Sequence, residues 1–210
     1  MKSFPIASLS RIEISGGIAS GKTTFATVIR GLVPGVVFEN FKKVPTWEAF
    51  YSNPGKYIFE TEIAFTLLHY HQIKKAVEKG TQIIVCDFSF SLDLAYAKIG
   101  LKGSQLDAFE TVCQEVYKEL GLPSILVHLK CDAETELDRV RKRGRDEETS
   151  ITLEFLDSLN NAVENEVSLI KAKVPVITID SSLKDFATHE PTKEEMRELM
   201  RDHIKSLPAV

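Results

Sequence analysis

One short segment near the start of the chain restricts its fold more than any other feature. Residues 16–23 read GGIASGKT, which matches the spacing GxxxxGK followed by Ser or Thr. The segment follows the apolar run Leu9–Ser15 and precedes a helical pattern over Thr24–Gly31. In this context the motif binds phosphate, because its backbone N–H groups and the helix N-terminus converge on the phosphate oxygens. The segment therefore predicts a nucleoside triphosphate site.

Two side chains of this loop have specific predicted roles. Lys22 would reach the β and γ phosphates, and the hydroxyl of Thr23 would bind Mg²⁺. The residues expected to contact the nucleotide are Gly16, Gly17, Ile18, Ala19, Ser20, Gly21, Lys22, Thr23 and Thr24. The motif by itself does not distinguish a kinase from an ATPase, a GTPase or a structural nucleotide-binding protein.

Short runs rich in Ile and Val alternate with helical patterns along the chain. Five nearly continuous apolar runs are typical of strands covered on both faces: Leu9–Ser15, Val36–Glu39, Gln82–Asp87, Ser124–Lys130 and Val174–Asp180. The clearest helical patterns cover Thr61–Lys79, Ile151–Lys173 and Thr192–Lys205. This alternation predicts an α/β fold, a P-loop NTPase three-layer sandwich. Its five-stranded parallel sheet would have helices on both faces and an arginine-rich lid.

The composition fits a single globular domain. The chain has 210 residues, of which 43% are hydrophobic, so it can bury a real core. We find no internal repeat and no linker, and we predict one P-loop kinase domain over residues 1–210 with its lid at about residues 139–149.

Charge and cysteine use bear on partners and location. A net charge of −4 gives no support for nucleic-acid binding. Cys86, Cys113 and Cys131 are scattered, which fits a reducing compartment better than a disulfide framework or a zinc site. No run is long enough to span a bilayer, and Met1–Arg11 lacks a signal-peptide pattern. We therefore expect a cytoplasmic protein without nucleic-acid or membrane partners.

Two acidic residues end consecutive apolar runs. Glu39 ends the second run and Asp87 ends the third. Because ligands of open parallel sheets gather at the carboxyl ends of the strands, both carboxylates are expected beside the phosphate loop. There one could accept a proton from an acceptor hydroxyl, and the other could hold Mg²⁺ or its waters.

A basic cluster follows the fourth apolar run. Arg139 and Arg143 are four residues apart and share a helix face, and Arg145 follows Gly144, where the helix can loosen into a loop. Guanidinium groups in this arrangement can close over a triphosphate and stabilise the transferring phosphoryl group. We therefore predict a lid that excludes water when it closes.

Several further segments, in their order, resemble the deoxynucleoside kinase family, which contains deoxycytidine, deoxyguanosine and deoxyadenosine kinases. The resemblance runs from about Ile12 to about Phe186, and its segments are Tyr51–Phe59, Asp87–Ser89 with Asp93, Arg139–Glu148, Ile151–Leu156, and Val174–Asp180 followed by Asp185 and Phe186. It implies transfer of the γ-phosphate of ATP, with Mg²⁺, to the 5′-hydroxyl of a nucleoside or deoxynucleoside. It also implies a homodimer.

The resemblance assigns roles to individual residues. It makes Glu39 the catalytic base and gives Lys22, Arg139 and Arg143 catalytic roles at the phosphates. Other residues would bind the nucleotide or the acceptor. Arg143, Arg145, Asp185 and Phe186 would contact ATP, Tyr51 and Glu148 the sugar 3′-hydroxyl, Glu62, His69 and Asp93 the base of the nucleoside, and Thr23 and Asp87 the metal.

This chain departs from the family pattern at positions that matter for chemistry. Phe88 occupies the place of an arginine that supports the catalytic base, and Asn40-Phe41 follow Glu39 in place of Pro-Val. Glu62 stands where the family has a glutamine, and an ionised glutamate can only accept hydrogen bonds. With His69 in place of an arginine, we hypothesise a purine-like or modified substrate.

Two other functions stay open at the level of the sequence. The same scaffold could phosphorylate a nucleoside monophosphate or another small alcohol, although Phe88 removes one cationic group that an acceptor phosphate would need. The chain could also be a degenerate nucleotide-binding relative without kinase activity. Lys22, Thr23, Asp87 and the arginine cluster argue against that second alternative.

Overall fold

The computed structural model describes residues 9–207 and contains one five-stranded parallel sheet. The strand order is β2-β3-β1-β4-β5, and the strands are β1 Ser10–Ser15, β2 Gly35–Val37, β3 Ile83–Cys86, β4 Ile125–Lys130 and β5 Val176–Asp180. All five predicted strands are present: four lie within their predicted bounds, and β2 begins one residue earlier and ends two residues earlier than predicted. We expected that the segment Met1–Arg11 is not a signal peptide. Most of this segment lies outside the described residues.

Eight α-helices connect and cover these strands. They are α1 Lys22–Val28, α2 Trp47–Ser52, α3 Pro54–Glu78, α4 Phe90–Gly100, α5 Ser104–Leu120, α6 Ala133–Arg143, α7 Leu153–Lys171 and α8 Glu190–Lys205. Helix α3 begins seven residues before the predicted start at Thr61, because Pro54 fits the first turn of a helix, where its missing N–H costs nothing. None of these helices is long and apolar enough to cross a membrane.

The alternation of side chains along β4 shows how the sheet is covered on both faces. Ile125, Val127 and Leu129 pack in one cluster with residues of α1 and α8, whereas the intervening Leu126 packs with residues of α4, α6 and α7. Successive side chains of a strand point to opposite faces, so a run of apolar residues requires a helical layer on each side. The three-layer α/β prediction is confirmed.

A buried ion pair lies on β1, within the run that was predicted to be simply apolar. Arg11 and Glu13 are both fully buried, and Arg11 Nε donates to Glu13 Oε1 at 2.6 Å. The guanidinium also donates to the carbonyls of Leu120 and Gly121, and Glu13 Oε2 accepts from the N–H of Phe90. The pair thereby connects β1 to the start of α4 and the end of α5.

A crevice forms at the carboxyl ends of β1 and β3. The chain leaves β1 into α1 on one face of the sheet, and it leaves the neighbouring β3 into α4 on the other face. Adjacent strands whose connections diverge in this way leave a gap outside the sheet edge, which is where ligands of open α/β sheets bind.

Candidate active site

A cavity of about 740 Å³ occupies this crevice. Its volume suits a small ligand together with part of a nucleotide. Most of the site residues predicted from the sequence line it: Ile18, Ala19, Gly21, Lys22, Thr23, Thr24, Glu39, Tyr51, Glu62, Asp87, Asp93, Arg139, Arg143, Arg145, Glu148, Asp185 and Phe186. Four predicted site residues do not line the cavity: Gly16, Gly17 and Ser20 of the phosphate loop, and His69. His69 lies behind the cavity wall, against Glu39 and Asp93.

The phosphate loop has the backbone that its glycines permit. Gly16 has φ 148° and Gly21 has φ 100°, values that side chains disfavour. A Cβ on Gly16 would lie 2.5 Å from the carbonyl oxygen of Leu129, so the loop also requires glycine there for space. Lys22 Nζ donates to the carbonyls of Gly16 at 3.0 Å and Gly17 at 2.7 Å, and burial lowers the pKa of this amine.

The two predicted strand-end acids are brought together by the pairing of β2 with β3. Val37 pairs with Cys86, which sets Glu39 and Asp87 side by side beyond the strands. Asp87 Oδ1 accepts the backbone N–H of Glu39 at 2.6 Å, and Asp87 Oδ2 accepts the hydroxyl of Thr23 at 2.8 Å. Asp87 thus connects the phosphate loop to the segment that carries Glu39.

The pair Thr23 and Asp87 fits the predicted metal position. Mg²⁺ prefers oxygen ligands and usually takes one or two protein groups while keeping waters and substrate phosphates. A hydroxyl and a carboxylate in direct contact beside a phosphate loop provide such a donor set. Burial raises the pKa of Asp87, and a bound cation would offset this effect by favouring the ionised carboxylate.

Glu39 itself contacts a buried histidine. His69 Nε2 lies 3.1 Å from Glu39 Oε1, and His69 Nδ1 lies 3.0 Å from Asp93 Oδ2. The ring of Phe88, the residue at the position of the family arginine, stacks on the imidazole with centroids 3.9 Å apart and planes at 6°. Burial raises the pKa of Glu39, but the hydrogen bond and charge of His69, with Lys22 and Arg145, outweigh it and hold that pKa below the ordinary value.

Glu62 lies on the wall formed by α3 and α4, and its burial bears on the hydrogen bonds that it can make. The side chain is buried, and burial, reinforced by the nearby negative charge of Asp93, raises its pKa well above the ordinary value. The sequence analysis hypothesised an ionised group that only accepts hydrogen bonds. The raised pKa instead favours the protonated acid, which both donates and accepts, as a glutamine does.

The predicted lid is closed on itself by one buried carboxylate. Glu148 Oε2 accepts from Arg143 Nε at 2.7 Å, and Glu148 Oε1 accepts from Arg145 Nη1 at 3.0 Å. The guanidinium of Arg145 also lies over the ring of Phe41, 4.4 Å from its centroid. Arg139 is set deeper, because it donates to the carbonyl of Ser181 at 2.6 Å. Three guanidinium groups therefore surround the mouth of the phosphate loop.

The segment after β5 closes the nucleotide side of the cavity. Phe186 is buried and packs edge-to-face on Phe25 of α1, with centroids 5.6 Å apart. The Asp185 carboxylate accepts the hydroxyl of Thr188 at Oδ2 and the N–H groups of Thr188 and Ala187 at Oδ1, and these hydrogen bonds lower the pKa of the carboxyl. Asp185 therefore shapes the turn that holds Phe186 against the phosphate-loop helix.

The sequence analysis missed the apolar and aromatic part of the cavity wall. Trp47, Phe65, Leu92 and Tyr96 all line the cavity. A signal for two of them was present: Phe65 follows Glu62 by three residues and Tyr96 follows Asp93 by three, so each shares a helix face with a predicted site residue. Flat aromatic walls beside a few polar groups are typical of small-molecule pockets.

The fold and site define a class of protein. A parallel sheet with a phosphate loop after β1, a carboxylate after β2 and an arginine lid after α6 is the arrangement of a P-loop kinase. The sequence model of the deoxynucleoside kinase family matches residues 12–205. The chain belongs to this family, and it is a kinase that phosphorylates nucleosides.

Individual relatives are similar over most of the chain. A deoxyguanosine kinase of Bacillus subtilis (strain 168) is 26% identical over 93% of this chain and 96% of its own length. A deoxyadenosine kinase of Dictyostelium discoideum is 29% identical over 82% of this chain and 73% of its own length. The structure of deoxyadenosine kinase from M. mycoides with bound dATP superposes with a TM-score of 0.76 over 93% of this chain and 100% of that chain, at 23% identity. This last likeness concerns the fold.

Proposed function

We propose that this enzyme transfers the γ-phosphate of ATP to the 5′-hydroxyl of a purine deoxynucleoside. The observation that carries the proposal is the contact chain from Thr23 through Asp87 to Glu39, which sets a carboxylate and a phosphate loop in one cavity. The choice of a purine is supported by relatives named deoxyguanosine kinase and deoxyadenosine kinase.

Glu39 is the general base in this mechanism. Because its pKa lies below the ordinary value, the carboxylate is ionised at neutral pH and can accept the proton of the attacking hydroxyl. The peptide bond that joins Phe38 to Glu39 is held at both of its polar atoms, since the Glu39 N–H donates to Asp87 and the Phe38 carbonyl accepts from Gln72 at 3.0 Å. A fixed base supports catalysis by orientation as much as by basicity.

The remaining polar groups act on the phosphates. Lys22 would exchange its contacts with the loop carbonyls for phosphate oxygens, and Arg143 and Arg145 would leave Glu148 for the triphosphate as the lid closes. Mg²⁺ held by Thr23 and Asp87 would supply positive charge against the phosphate oxygens. Glu148, once released, would be free to accept the sugar 3′-hydroxyl beside Tyr51.

Turnover with a panel of acceptors tests the proposal. ADP release would be measured with Mg²⁺-ATP and each deoxynucleoside, ribonucleoside and nucleoside monophosphate, with Lys22→Ala as the blank. We expect turnover with deoxyguanosine or deoxyadenosine and a loss of at least about 100-fold in kcat for Glu39→Gln. Signal with monophosphates alone would overturn the choice of acceptor, and full activity of Glu39→Gln would overturn the choice of base.

Three broader expectations belong to the same proposal. We propose a single-domain cytoplasmic enzyme that works as a homodimer. Light scattering on the purified chain, combined with gel filtration, measures the mass in solution. A mass near twice the 23.5 kDa of one chain is expected, and a mass near one chain at assay concentration contradicts the dimer.

A further inference from the structure

His69 is the most unusually placed ionisable group of the site. It lies on α3 with 1% of its surface exposed, and it does not line the cavity. Its two ring nitrogens face two carboxylates, Glu39 at 3.1 Å and Asp93 at 3.0 Å, which come from the segment after β2 and from α4. A histidine between two acids behind the wall does not serve the role expected from the sequence, a direct contact to the acceptor.

Both nitrogens can donate only if the ring is an imidazolium. Three aromatic rings lie beside the imidazole: Phe88 stacks on one face, and Phe65 and Phe90 lie 5.9 and 6.4 Å away. Burial lowers the pKa of His69, but the charges and hydrogen bonds of Asp93 and Glu39 outweigh it and raise that pKa to about 10. A third acid, Glu62, lies nearby, and burial raises its pKa, which favours its neutral form.

The contact with His69 restrains the side-chain carboxylate of Glu39, which the main-chain hydrogen bonds do not hold. Hydrogen bonds from Glu39 to Asp87 and from Gln72 to Phe38 hold the main chain, but the carboxylate could still rotate about its side-chain torsions. His69 binds Oε1 from inside the protein, while Lys22 and Arg145 act on the same carboxylate from the cavity side. Asp93, which also accepts from Thr66 at 3.3 Å, holds the imidazolium in place.

We propose that His69 is a positioning residue for the general base, an imidazolium braced by Asp93 that aims the Glu39 carboxylate at the acceptor hydroxyl. This inference rests on the proposed function, because it takes Glu39 as the base. Phe88 stands in the place of the family arginine and carries no charge. In our proposal the positive charge that supports the base comes from His69 on α3 instead.

Loss of the contact has a consequence that separates kcat from KM. Without His69, the Glu39 carboxylate keeps its main-chain hydrogen bond to Asp87 but loses the hydrogen bond on its inner side, so fewer of its orientations place it against the acceptor hydroxyl. A purely structural role of His69 would weaken the binding of ATP and of the nucleoside together with kcat. A role as an acceptor contact would raise KM for the nucleoside alone.

The test compares kcat and KM of the unaltered chain with those of His69→Gln, whose amide can still donate to Glu39 but carries no charge. His71→Gln is the matched control, because His71 is exposed on the same helix two residues further on. We expect His69→Gln to lose at least about tenfold in kcat, with KM for ATP and for the nucleoside changed less than about threefold. His71→Gln should keep the kcat and KM of the unaltered chain.

Two outcomes separate this inference from the proposed function. If Glu39→Gln abolishes turnover while His69→Gln keeps the kcat of the unaltered chain, the positioning role is wrong and the base stands. If Glu39→Gln retains full turnover, the proposed function fails before the inference is reached. A rise confined to the nucleoside KM would make His69 an acceptor contact and would overturn the inference.

A second measurement needs no variant and covers the case in which His69→Gln does not fold. Nitrogen chemical shifts of the imidazole, recorded by NMR on the full chain with labelled histidine, report protonation directly. We expect the His69 ring to carry both protons from about pH 6 to beyond pH 8. A neutral ring at pH 7 would overturn the inference.

Discussion

The pKa and the role of single residues in this site depend on the groups that they contact rather than on their residue type. Glu39, Glu62 and Glu148 are all glutamates that line one cavity. The hydrogen bond and charge of His69 hold the pKa of Glu39 below the ordinary value, burial beside Asp93 raises the pKa of Glu62, and Glu148 pairs with two arginines. We therefore propose that the same side chain serves as general base, as protonated hydrogen-bonding group and as the carboxylate that holds the lid arginines.

The neutrality of Glu62 predicts the effect of Glu62→Gln. Because the neutral acid and the amide have the same donor and acceptor capacity, kcat/KM should change less than about threefold and the ranking of nucleosides should stay the same. Steady-state kinetics over the nucleoside panel provide the measurement. A reordered ranking would show that Glu62 acts as an ionised acceptor, as the sequence analysis supposed.

The same substitution should change how stability depends on pH. In the folded protein Glu62 keeps its proton above the ordinary pKa, whereas the unfolded chain releases it, so the stability it contributes is fully present below the ordinary carboxyl pKa and is lost as pH rises from there through the raised pKa. As pH rises above the ordinary carboxyl pKa, the Tm of Glu62→Gln should therefore increase relative to that of the unaltered chain, by about 3 °C or more in total. Glu60→Gln, exposed on the same helix, serves as the control and should show no such trend.

At the scale of elements, the buried pair on β1 is the main polar connection between the sheet and its helices. Arg11 and Glu13 contact the end of α5 and the start of α4, the helix that carries Asp93. Removing one partner leaves the other charge buried and unpaired. Arg11→Met should therefore cost about 3–5 kcal/mol, while Arg11→Met with Glu13→Leu should recover most of that loss.

Urea unfolding followed by circular dichroism measures these free energies. Lys118→Met, which removes an exposed partner of Glu115, is the control and should cost less than about 1 kcal/mol. Equal stability of Arg11→Met and the unaltered chain would contradict the role assigned to the pair.

Helix α6, which carries Arg139 and Arg143, depends on the residue just before its start, Asp132. Asp132 Oδ1 accepts the N–H of Thr135 at 2.7 Å, and hydrogen bonds from Ser182 and Thr135 lower the pKa of this carboxyl to about 2. Asp132→Ala should cost about 1 kcal/mol at neutral pH. Since the stability it contributes is lost as pH falls through about 2, the two melting curves should converge in strong acid, and a constant difference would contradict this account.

Elements that depend on local signals could be predicted from the sequence, whereas those that depend on distant contacts could not. The phosphate loop, the five strands and the acids Glu39 and Asp87 have local patterns of spacing and hydrophobicity. The burial of Arg11, the bridge made by His69 and the neutrality of Glu62 depend on residues more than twenty positions away, with which no local pattern connects them. Aromatic residues of the cavity wall could be predicted only from their spacing to residues already identified: Phe65 shares a helix face with Glu62, and Tyr96 shares one with Asp93.

At the scale of the whole molecule, ligand binding should couple the two sides of the crevice. The phosphate loop, the lid and the segment after β5 come from different parts of the chain and converge on one cavity. Because a ligand stabilises the state that binds it, saturating Mg²⁺-ATP should raise Tm by about 5–10 °C. Lys22→Ala should lose most of this shift in a thermal-shift assay, and an equal shift in that variant would place ATP elsewhere.

The most direct test of the account is the identity of the product. The enzyme would be incubated with Mg²⁺-ATP and deoxyguanosine, and the products followed by phosphorus NMR, in which a 5′-monophosphate is identified by its coupling to the 5′-methylene protons. We predict 5′-monophosphate and ADP in equal amounts, and neither above background with Glu39→Gln. ADP without a nucleoside monophosphate, or the same yield from Glu39→Gln, would contradict the assignment of Glu39 as the base that activates the 5′-hydroxyl.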